Sequence, residues 1–430
     1  MISMTMRCLG SALLTLSVLL SVRPAIAQSL EFANTDLAQL PSASRPISRG
    51  TFPAFDPKLY NPAVLHLRYT PAAGKTTDPS FDAFIDLTLI SSDQSPEGRR
   101  IELNSKRLRT LLRSLYRSLS RQEPISIQDP SSASRQLYEL LIAPIAGSLE
   151  RQSISTLLIA ADRGLQAIPF AALTDGRQFF GERYAFSLTP SLALTDFDSS
   201  SPTSDSRLLA LGASRFEDLS PLPLVPQELK NISSEPRKDQ YLNEAFTPSS
   251  LTSKAADPQY SYVHVATHAE FVPGGPSKSR LFSGTAPISL DQLSRLRKAR
   301  KGIPLELIVF SACRTALGDP ESELGFAGLA LQAGSKSAVG TLWYVDDVVT
   351  SAYFVQMYRF LDQGIPKAEA LQLTRQALAR GVIRLDADQV LGVDGKPLLT
   401  GLNSSQKARM QQGVSHPFFW AGIQLLGSPW

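Results

Sequence analysis

The chain contains few of the residues that build disulfide frameworks and metal centres. Among its 430 residues are two cysteines and four histidines, and these do not show the spacing of zinc ligands. Cys8 lies in an apolar N-terminal segment, so removal of that segment would leave Cys313 as a single thiol, which cannot form an internal disulfide. Cys313 is therefore either an inert buried residue or a thiol kept for chemistry.

Excess charge and long apolar runs are also scarce. Removal of residues 1–27 takes away Arg7 and Arg23 and no acid, so the formal net charge falls from +4 to +2. An excess this small does not predict nucleic-acid binding. The apolar run at 8–22 is shorter than the roughly 20 residues that cross a bilayer, and no later segment could span one.

Residues 1–27 have the features of a signal peptide. Arg7 precedes the apolar run, and the sequence AIA at 25–27 matches a cleavage site. The alternative is a retained N-terminal anchor. We expect an exported protein without an integral membrane span, located in a periplasm, in a thylakoid lumen or outside the cell.

The rest of the chain is predicted to form an α/β unit in two halves. Residues 28–60 are rich in Pro and Ser and indicate a leader, and a Ser-rich stretch near 196–206 separates residues 61–195 from residues 207–430. Short apolar runs alternate with helical patterns, which favours a mostly parallel sheet flanked by helices. The predicted strands are 63–69, 83–91, 155–161, 207–213, 260–269, 305–313, 336–345 and 421–427. The main predicted helices are 104–121, 325–334, 348–364 and 366–381, and the stretch 133–149 is predicted to be helical up to an interruption at Pro144.

The helix predicted at 104–121 has one leucine-rich face and one basic face. Arginine recurs at every fourth position on the basic face, at 109, 113, 117 and 121. Such a face is more often solvated than a binding surface, although acidic lipid or an acidic partner is the open alternative.

Two residues with catalytic side chains end predicted strands. His268 ends the run YSYVHVATH, and Cys313 ends the run LELIVFSAC. If these are neighbouring parallel strands, both residues lie at the same edge of the sheet. A histidine beside a cysteine can remove the thiol proton and create the reactive thiolate.

Four other polar residues have predicted structural roles. His264 is expected to be a buried, hydrogen-bonded core residue, and His416 a structural one. Asp346 and Asp347 follow a strand and precede a helix, so helix N-capping is the first interpretation and binding of basic substrate residues the second.

The motifs together resemble the CHAT domain, a caspase-like module that is often joined to tetratricopeptide repeats, especially in cyanobacteria. The resemblance extends from about residue 60 to the C-terminus. It rests on RQLYELLIAPI (135–145), LQAIPFAAL (165–173), RYAFSLTPSLAL (183–194), VATHA (265–269), SACRTALG (311–318), GFAGLA (325–330), VGTLWYVDD (339–347) and HPFFWAG (416–422).

The resemblance implies a cysteine endopeptidase that acts on a protein or peptide substrate without a metal or organic cofactor. His268 is the implied general base and acid, Cys313 the implied nucleophile, and the backbone N–H groups of Ala269 and Cys313 the implied oxyanion hole. Ala269 stands where the family usually has glycine, and a positive φ there would strain alanine. The chain contains no tetratricopeptide repeats, so a repeat partner would come from another chain. The alternative is a catalytically inactive module that binds a periplasmic or membrane protein.

Overall fold

The computed structural model describes residues 62–72, 80–92, 94–162, 164–189, 192, 195, 206–233, 237–270, 279–313, 328, 330–331, 333–343 and 346–430. The predicted signal peptide, leader and most of the Ser-rich separator lie outside the described residues, as does half of the helix predicted at 325–334. For Cys313 the description covers the backbone and not the side chain.

The described strands and helices alternate along much of the chain. The strands are β1 (Pro62–Pro71), β2 (Ala83–Ser91), β3 (Glu97–Leu103), β4 (Thr156–Ala161), β5 (Ala185–Thr189), β6 (Arg207–Gly212), β7 (Lys238–Leu242), β8 (Tyr260–Glu270), β9 (Arg280–Phe282), β10 (Pro287–Ser289), β11 (Leu307–Cys313), β12 (Ser337–Thr341), β13 (Arg384–Asp386), β14 (Gln389–Leu391), β15 (Pro397–Leu399) and β16 (Ile423–Gly427). The α-helices are α1 (Ser105–Ser120), α2 (Ala133–Leu141), α3 (Ala143–Arg151), α4 (Phe180–Arg183), α5 (Val225–Asn231), α6 (Leu296–Ala299), α7 (Asp347–Leu361), α8 (Lys367–Ala379) and α9 (Ser404–Gln411). Short 3₁₀ turns lie at Phe170–Ala172, Asn243–Ala245, Leu290–Arg295 and Pro417–Phe419, and a π-helical turn lies at Ser250–Lys254.

One large sheet joins both halves of the chain. Its strand order is β10-β9-β8-β11-β12-β16-β5-β4-β1-β2-β3, and β6 pairs with both β7 and β8. Helices flank this mostly parallel sheet, so the predicted α/β fold class is confirmed. A separate three-stranded sheet contains β13, β14 and β15.

The large sheet contains two parallel blocks that run in opposite directions, and antiparallel strands lie at its two ends. Strands β7, β6, β8, β11 and β12 are parallel to one another, and so are β16, β5, β4 and β1. The two blocks meet where β12 pairs antiparallel with β16. A continuous apolar run such as 421–427 is typical of a strand parallel to its neighbours in the second half, but β16 is antiparallel to β12 and continues the first block. The C-terminal ends of β8 and β11 therefore lie at the opposite edge from those of β1 and β4.

Burial follows the periodicity of each element. In β2 every second residue from Ala83 to Leu89 is buried, as expected for a strand with one face on the core. Helix α1 buries Leu108, Leu112, Leu115 and Leu119, which recur at helical spacing. Its N-cap Asn104 accepts a hydrogen bond from the N–H of Arg107 at 3.0 Å, which satisfies a free donor of the first turn. None of the described helices is long and apolar enough to cross a membrane.

Candidate functional site

Strands β8 and β11 bring the two predicted dyad positions together in register. The strands are parallel neighbours, and Cys313 is the Cα partner of His268. Cys313 is the last residue of β11, and β8 extends only two residues beyond His268. The end of β8 and the end of β11 form a common edge, which we call the rim. Groups at the carboxyl ends of parallel strands are accessible to ligands because the covering helices leave this edge.

The ring of His268 is held by the loop that follows β6. Its Nε2 atom lies 2.7 Å from the carbonyl oxygen of Ser220, and its ring centroid lies 4.8 Å from that of Phe216. A carbonyl oxygen only accepts hydrogen bonds, so Nε2 is the donor. A neutral His268 then carries its proton on Nε2, which leaves the lone pair of Nδ1 able to accept a proton.

Ser220 and Phe216 belong to a segment that we call the strap, residues 214–222. The strap closes on itself, because the N–H of Leu222 donates to the carbonyl of Ser214 at 3.0 Å. Ser214 is fixed in turn by Asn243, whose Oδ1 accepts from the backbone N–H at 2.8 Å and from the hydroxyl at 3.1 Å. Asn243 has a φ of 51°, a left-handed conformation that asparagine tolerates better than most residues. The base of the strap is therefore anchored, and its exposed part lies against His268.

A buried polar group lies on the same face of β8, four residues (two strand repeats) before His268. His264 Nε2 donates to Glu228 Oε1 at 2.8 Å, and the hydroxyl of Ser351 donates to Glu228 Oε2 at 2.6 Å. All three side chains are buried. The rings of Phe354 and Tyr358 pack against His264. The prediction that His264 is a buried, hydrogen-bonded core residue is confirmed.

The two acids after β12 have different surroundings. Asp346 is the N-cap of α7, where its Oδ1 accepts from Val348 N at 3.0 Å and from Val349 N at 3.4 Å. Its Oδ2 lies 3.1 Å from Nε of Arg409. The N-capping interpretation is therefore confirmed for Asp346.

Asp347 contacts α5 instead. Its carboxylate accepts a hydrogen bond from the backbone N–H of Leu224, the residue before α5. Burial, followed by the nearby charge of Glu228, raises the pKa of Asp347 to about 7. The carboxyl of Asp347 thus changes its charge near neutral pH, close to the strap.

His416 has the structural role that was predicted for it. Its Nε2 donates to the carbonyl of Glu123 at 2.8 Å, and its Nδ1 accepts from Phe418 N at 3.1 Å. Burial lowers the pKa of His416, which favours the neutral ring that this pair of bonds requires.

The backbone of Ala269 is not strained. It is buried in β8, where it pairs antiparallel with Leu281 of β9, and it is not among the described residues with positive φ. Extended backbone is open to alanine as well as glycine, so the departure from glycine causes no backbone strain here. Its role as an oxyanion-hole donor stays a prediction.

A comparison with models of known protein families identifies the family of this chain. The model of the CHAT domain matches residues 131–428, which is more than half of the 430 residues. The chain belongs to the CHAT family. The match includes His268 and Cys313 and begins just before α2, so β1, β2, β3 and α1 precede the matched region.

Solved structures resemble this CHAT protein at low sequence identity. A chain of the Saccharomyces cerevisiae separase–securin complex has a TM-score of 0.48 and 10% identity; the alignment covers 86% of this chain and 30% of that one. The Arg-specific cysteine proteinase gingipain R has a TM-score of 0.40 and 10% identity, with 75% of each chain covered. The complex of the Porphyromonas gingivalis RgpB pro- and mature domains has a TM-score of 0.36 and 9% identity, with 75% of this chain and 77% of that chain covered. No curated protein matches the chain.

Sequence reasoning missed the parts of this CHAT domain that hold His268. Ser220 and Phe216 lie in a loop with no catalytic signature, and Ser220 is 48 residues from His268 along the chain. The sequence also gave no indication that Glu228 binds His264, since a single acidic residue in a short helix is usually solvated. No local pattern in the sequence shows which distant residue a loop of this kind contacts.

Proposed function

We propose that this CHAT protein is an exported cysteine endopeptidase with His268 and Cys313 as its catalytic dyad. The observation that carries the proposal is the register of β8 and β11, which pairs these two positions at the ends of adjacent strands. Neighbouring strands are about 4.8 Å apart, a separation at which side chains of paired residues can exchange a proton.

The proposed mechanism follows from the hydrogen bond of His268. Nδ1 of the neutral ring accepts the thiol proton, and the resulting thiolate attacks the carbonyl carbon of the scissile peptide bond. The backbone N–H groups of Ala269 and Cys313 are proposed to stabilise the oxyanion. His268 then gives its proton to the leaving amine, and a water molecule, deprotonated by the same ring, hydrolyses the thioester. Throughout, the Ser220 carbonyl accepts from Nε2–H and stabilises the imidazolium.

Asp346 and Asp347 are the candidates for binding basic residues of the substrate. Asp346 already caps α7 and pairs with Arg409, so Asp347 is the better candidate of the two. With a pKa of about 7, its carboxyl is roughly half ionised at neutral pH. We therefore expect any preference for basic residues to strengthen as the pH rises through neutrality.

Peptide cleavage tests the proposal directly. The full chain and its Cys313→Ala variant are incubated with a diverse peptide library, and the products are identified by mass spectrometry. We expect cleavage by the wild type and none by Cys313→Ala. Cleavage by both proteins would exclude Cys313 as the nucleophile.

Thiol labelling tests the dyad without a substrate. The rate at which iodoacetamide modifies the Cys313-containing peptide is measured by mass spectrometry against pH, for the wild type and for His268→Ala. An active dyad gives a thiol pKa below the free value of about 8.5, and His268→Ala returns it to that value. An unshifted thiol together with no cleavage would support the inactive binding module instead.

A further inference from the structure

The exposed face of α1 carries an unbroken series of positive charges. Arg113, Arg117 and Arg121 are exposed and Arg109 is partly exposed, on the side of the helix opposite its buried leucines. No acidic residue occurs between positions 103 and 122. We call the four arginines the arginine face.

Within the part of the chain that the structure describes, the arginine face has almost no counter-charge. Among the described residues, Arg121 pairs with Glu123 at 3.6 Å, with both side chains largely exposed. Arg109, Arg113 and Arg117 form no ion pair with the described part of the chain. Like charges four residues apart on a helix repel each other and destabilise it. An anionic partner that lies along α1 would relieve this repulsion.

Helix α1 runs across the sheet towards the rim. Its first residue lies where β1 ends: the N–H of Ser105 donates to Asp82 Oδ1 at 2.7 Å, and its Oγ lies 3.0 Å from the hydroxyl of Tyr69. Because β1 and β11 point in opposite directions, the N-terminal end of α1 lies at the edge of the sheet opposite the rim. The C-terminal end of α1 therefore lies at the same edge as the rim.

Two contacts connect the C-terminal end of α1 with the rim. The ring of Tyr116 lies edge-on to that of Trp343, with centroids 5.9 Å apart, and Trp343 follows β12, the neighbour of β11. Arg409 contacts Gln122 Oε1 at 3.4 Å and Asp346 Oδ2 at 3.1 Å. A chain bound along the arginine face is therefore directed towards the edge that holds His268 and the backbone of Cys313.

We propose that the arginine face is an exosite that binds an acidic segment of the protein substrate. This inference rests on the proposed peptidase function. From Arg109 to Arg121 the helix rises about 18 Å, a length that roughly five or six extended peptide residues span. Carboxylates at alternate positions of such a segment would meet successive arginines.

The surface is better suited to a peptide than to a membrane. The apolar side chains of α1 are buried or partly buried in the core. The large exposed hydrophobic residues of the described part of the chain (Leu219, Ile303, Val382 and Val393) are elsewhere. Amphipathic helices that bind membranes insert an exposed apolar face, which α1 lacks.

The binding test uses the Cys313→Ala variant, so that it does not depend on activity. Fluorescence anisotropy compares a labelled peptide that carries a run of glutamates with the same peptide carrying glutamines. We expect the glutamate peptide to bind about tenfold more tightly at low salt, an advantage that high salt removes. The triple variant R109Q/R113Q/R117Q should lose this advantage. The matched variant R295Q/R297Q/K298Q should keep the advantage, because the three exposed charges that it removes lie in or beside α6, which precedes β11 and is away from the rim.

Cleavage and vesicle binding separate the possible failures. For the wild type, joining the glutamate run to a cleaved peptide should lower KM with kcat unchanged. Equal KM values with and without the run, or equal binding of both peptides, would overturn the exosite. Binding of the glutamate peptide without any cleavage would retain the acidic-segment site and reject the peptidase function. Arginine-dependent flotation with phosphatidylglycerol vesicles, without peptide binding, would replace the proposal with a membrane surface.

Discussion

The Nε2 atom of His268 lies 2.7 Å from the carbonyl oxygen of Ser220, and this bond leaves Nδ1 of the neutral ring as the nitrogen that can accept a proton. The strap that supplies the carbonyl also supplies Phe216, whose ring centroid is 4.8 Å from that of His268. The strap therefore fixes both the tautomer and the position of the proposed base.

Phe216→Ala should lower peptidase activity through kcat. Without the aromatic contact, His268 can occupy several rotamers, and loss of the reactive orientation costs roughly tenfold in kcat with little change in KM. Steady-state kinetics and the pH dependence of kcat/KM provide the measurement. Leu219→Ala is the control, since this exposed strap residue is not seen to contact the ring. An equal loss in both variants would mean that the strap acts by general stability and not through Phe216.

Glu228→Ala should destabilise the fold substantially. It leaves the donors of His264 and Ser351 buried without their acceptor, which typically costs about 2–4 kcal/mol of unfolding free energy. Glu228→Gln should cost less, because the hydroxyl of Ser351 can accept a hydrogen bond from the amide. Urea denaturation measures both.

The control for Glu228 is Glu244→Ala. Glu244 forms an exposed ion pair with Arg215, and loss of such a pair changes stability by about 0.5 kcal/mol or less. Equal stabilities for Glu228→Ala and Glu244→Ala would contradict the importance assigned to the buried group.

Asp347→Asn should stabilise the protein at alkaline pH and have little effect in acid. The pKa of Asp347 is raised from 3.8 to about 7 by burial and by Glu228, with Asp346 adding to the rise and the Leu224 N–H opposing it. The folded state therefore binds the proton more tightly than the unfolded state, so stability falls as the pH rises from about 4 to 7. The asparagine should recover about 1–3 kcal/mol near pH 8, allowing for partial exposure.

Urea midpoints of Asp347→Asn and the wild type, measured from about pH 4 to pH 8, test this expectation. Asp386→Asn, at an exposed position, should show no comparable pH-dependent difference. A gain for Asp347→Asn that is the same at every pH would show that the substitution acts by some route other than the raised pKa.

Ala269→Gly should leave peptidase activity within about threefold of the wild-type value. The substitution should lower the free energy of unfolding by about 0.5–1 kcal/mol, because glycine has more conformational freedom than alanine in the unfolded chain. The N–H proposed for the oxyanion hole is present in both residues. Kinetics with a cleaved peptide, together with urea denaturation, provide the comparison. An activity gain of about tenfold or more would contradict this expectation and would show that the Cβ of Ala269 obstructs the site.

The periodicity of apolar residues predicted most of the central strands and the long helices, since β1, β2, β4, β6, β8, β11 and α1 follow local burial patterns. The same patterns could not give strand direction. β16 is as apolar as its parallel neighbour β5, and its antiparallel pairing with β12 depends on where the chain returns after α8 and the small sheet.

The sequence by itself determined which residues have side chains suited to acid–base and nucleophilic chemistry and at which strand ends they lie, because the side chain types and the apolar runs are local properties. Only the tertiary structure decided that positions 268 and 313 are register partners, that Ser220 and Phe216 hold the ring, and that α1 ends at the rim. Each of these depends on contacts between segments far apart in the chain, and such contacts are selected by packing over the whole sheet and not by any local pattern.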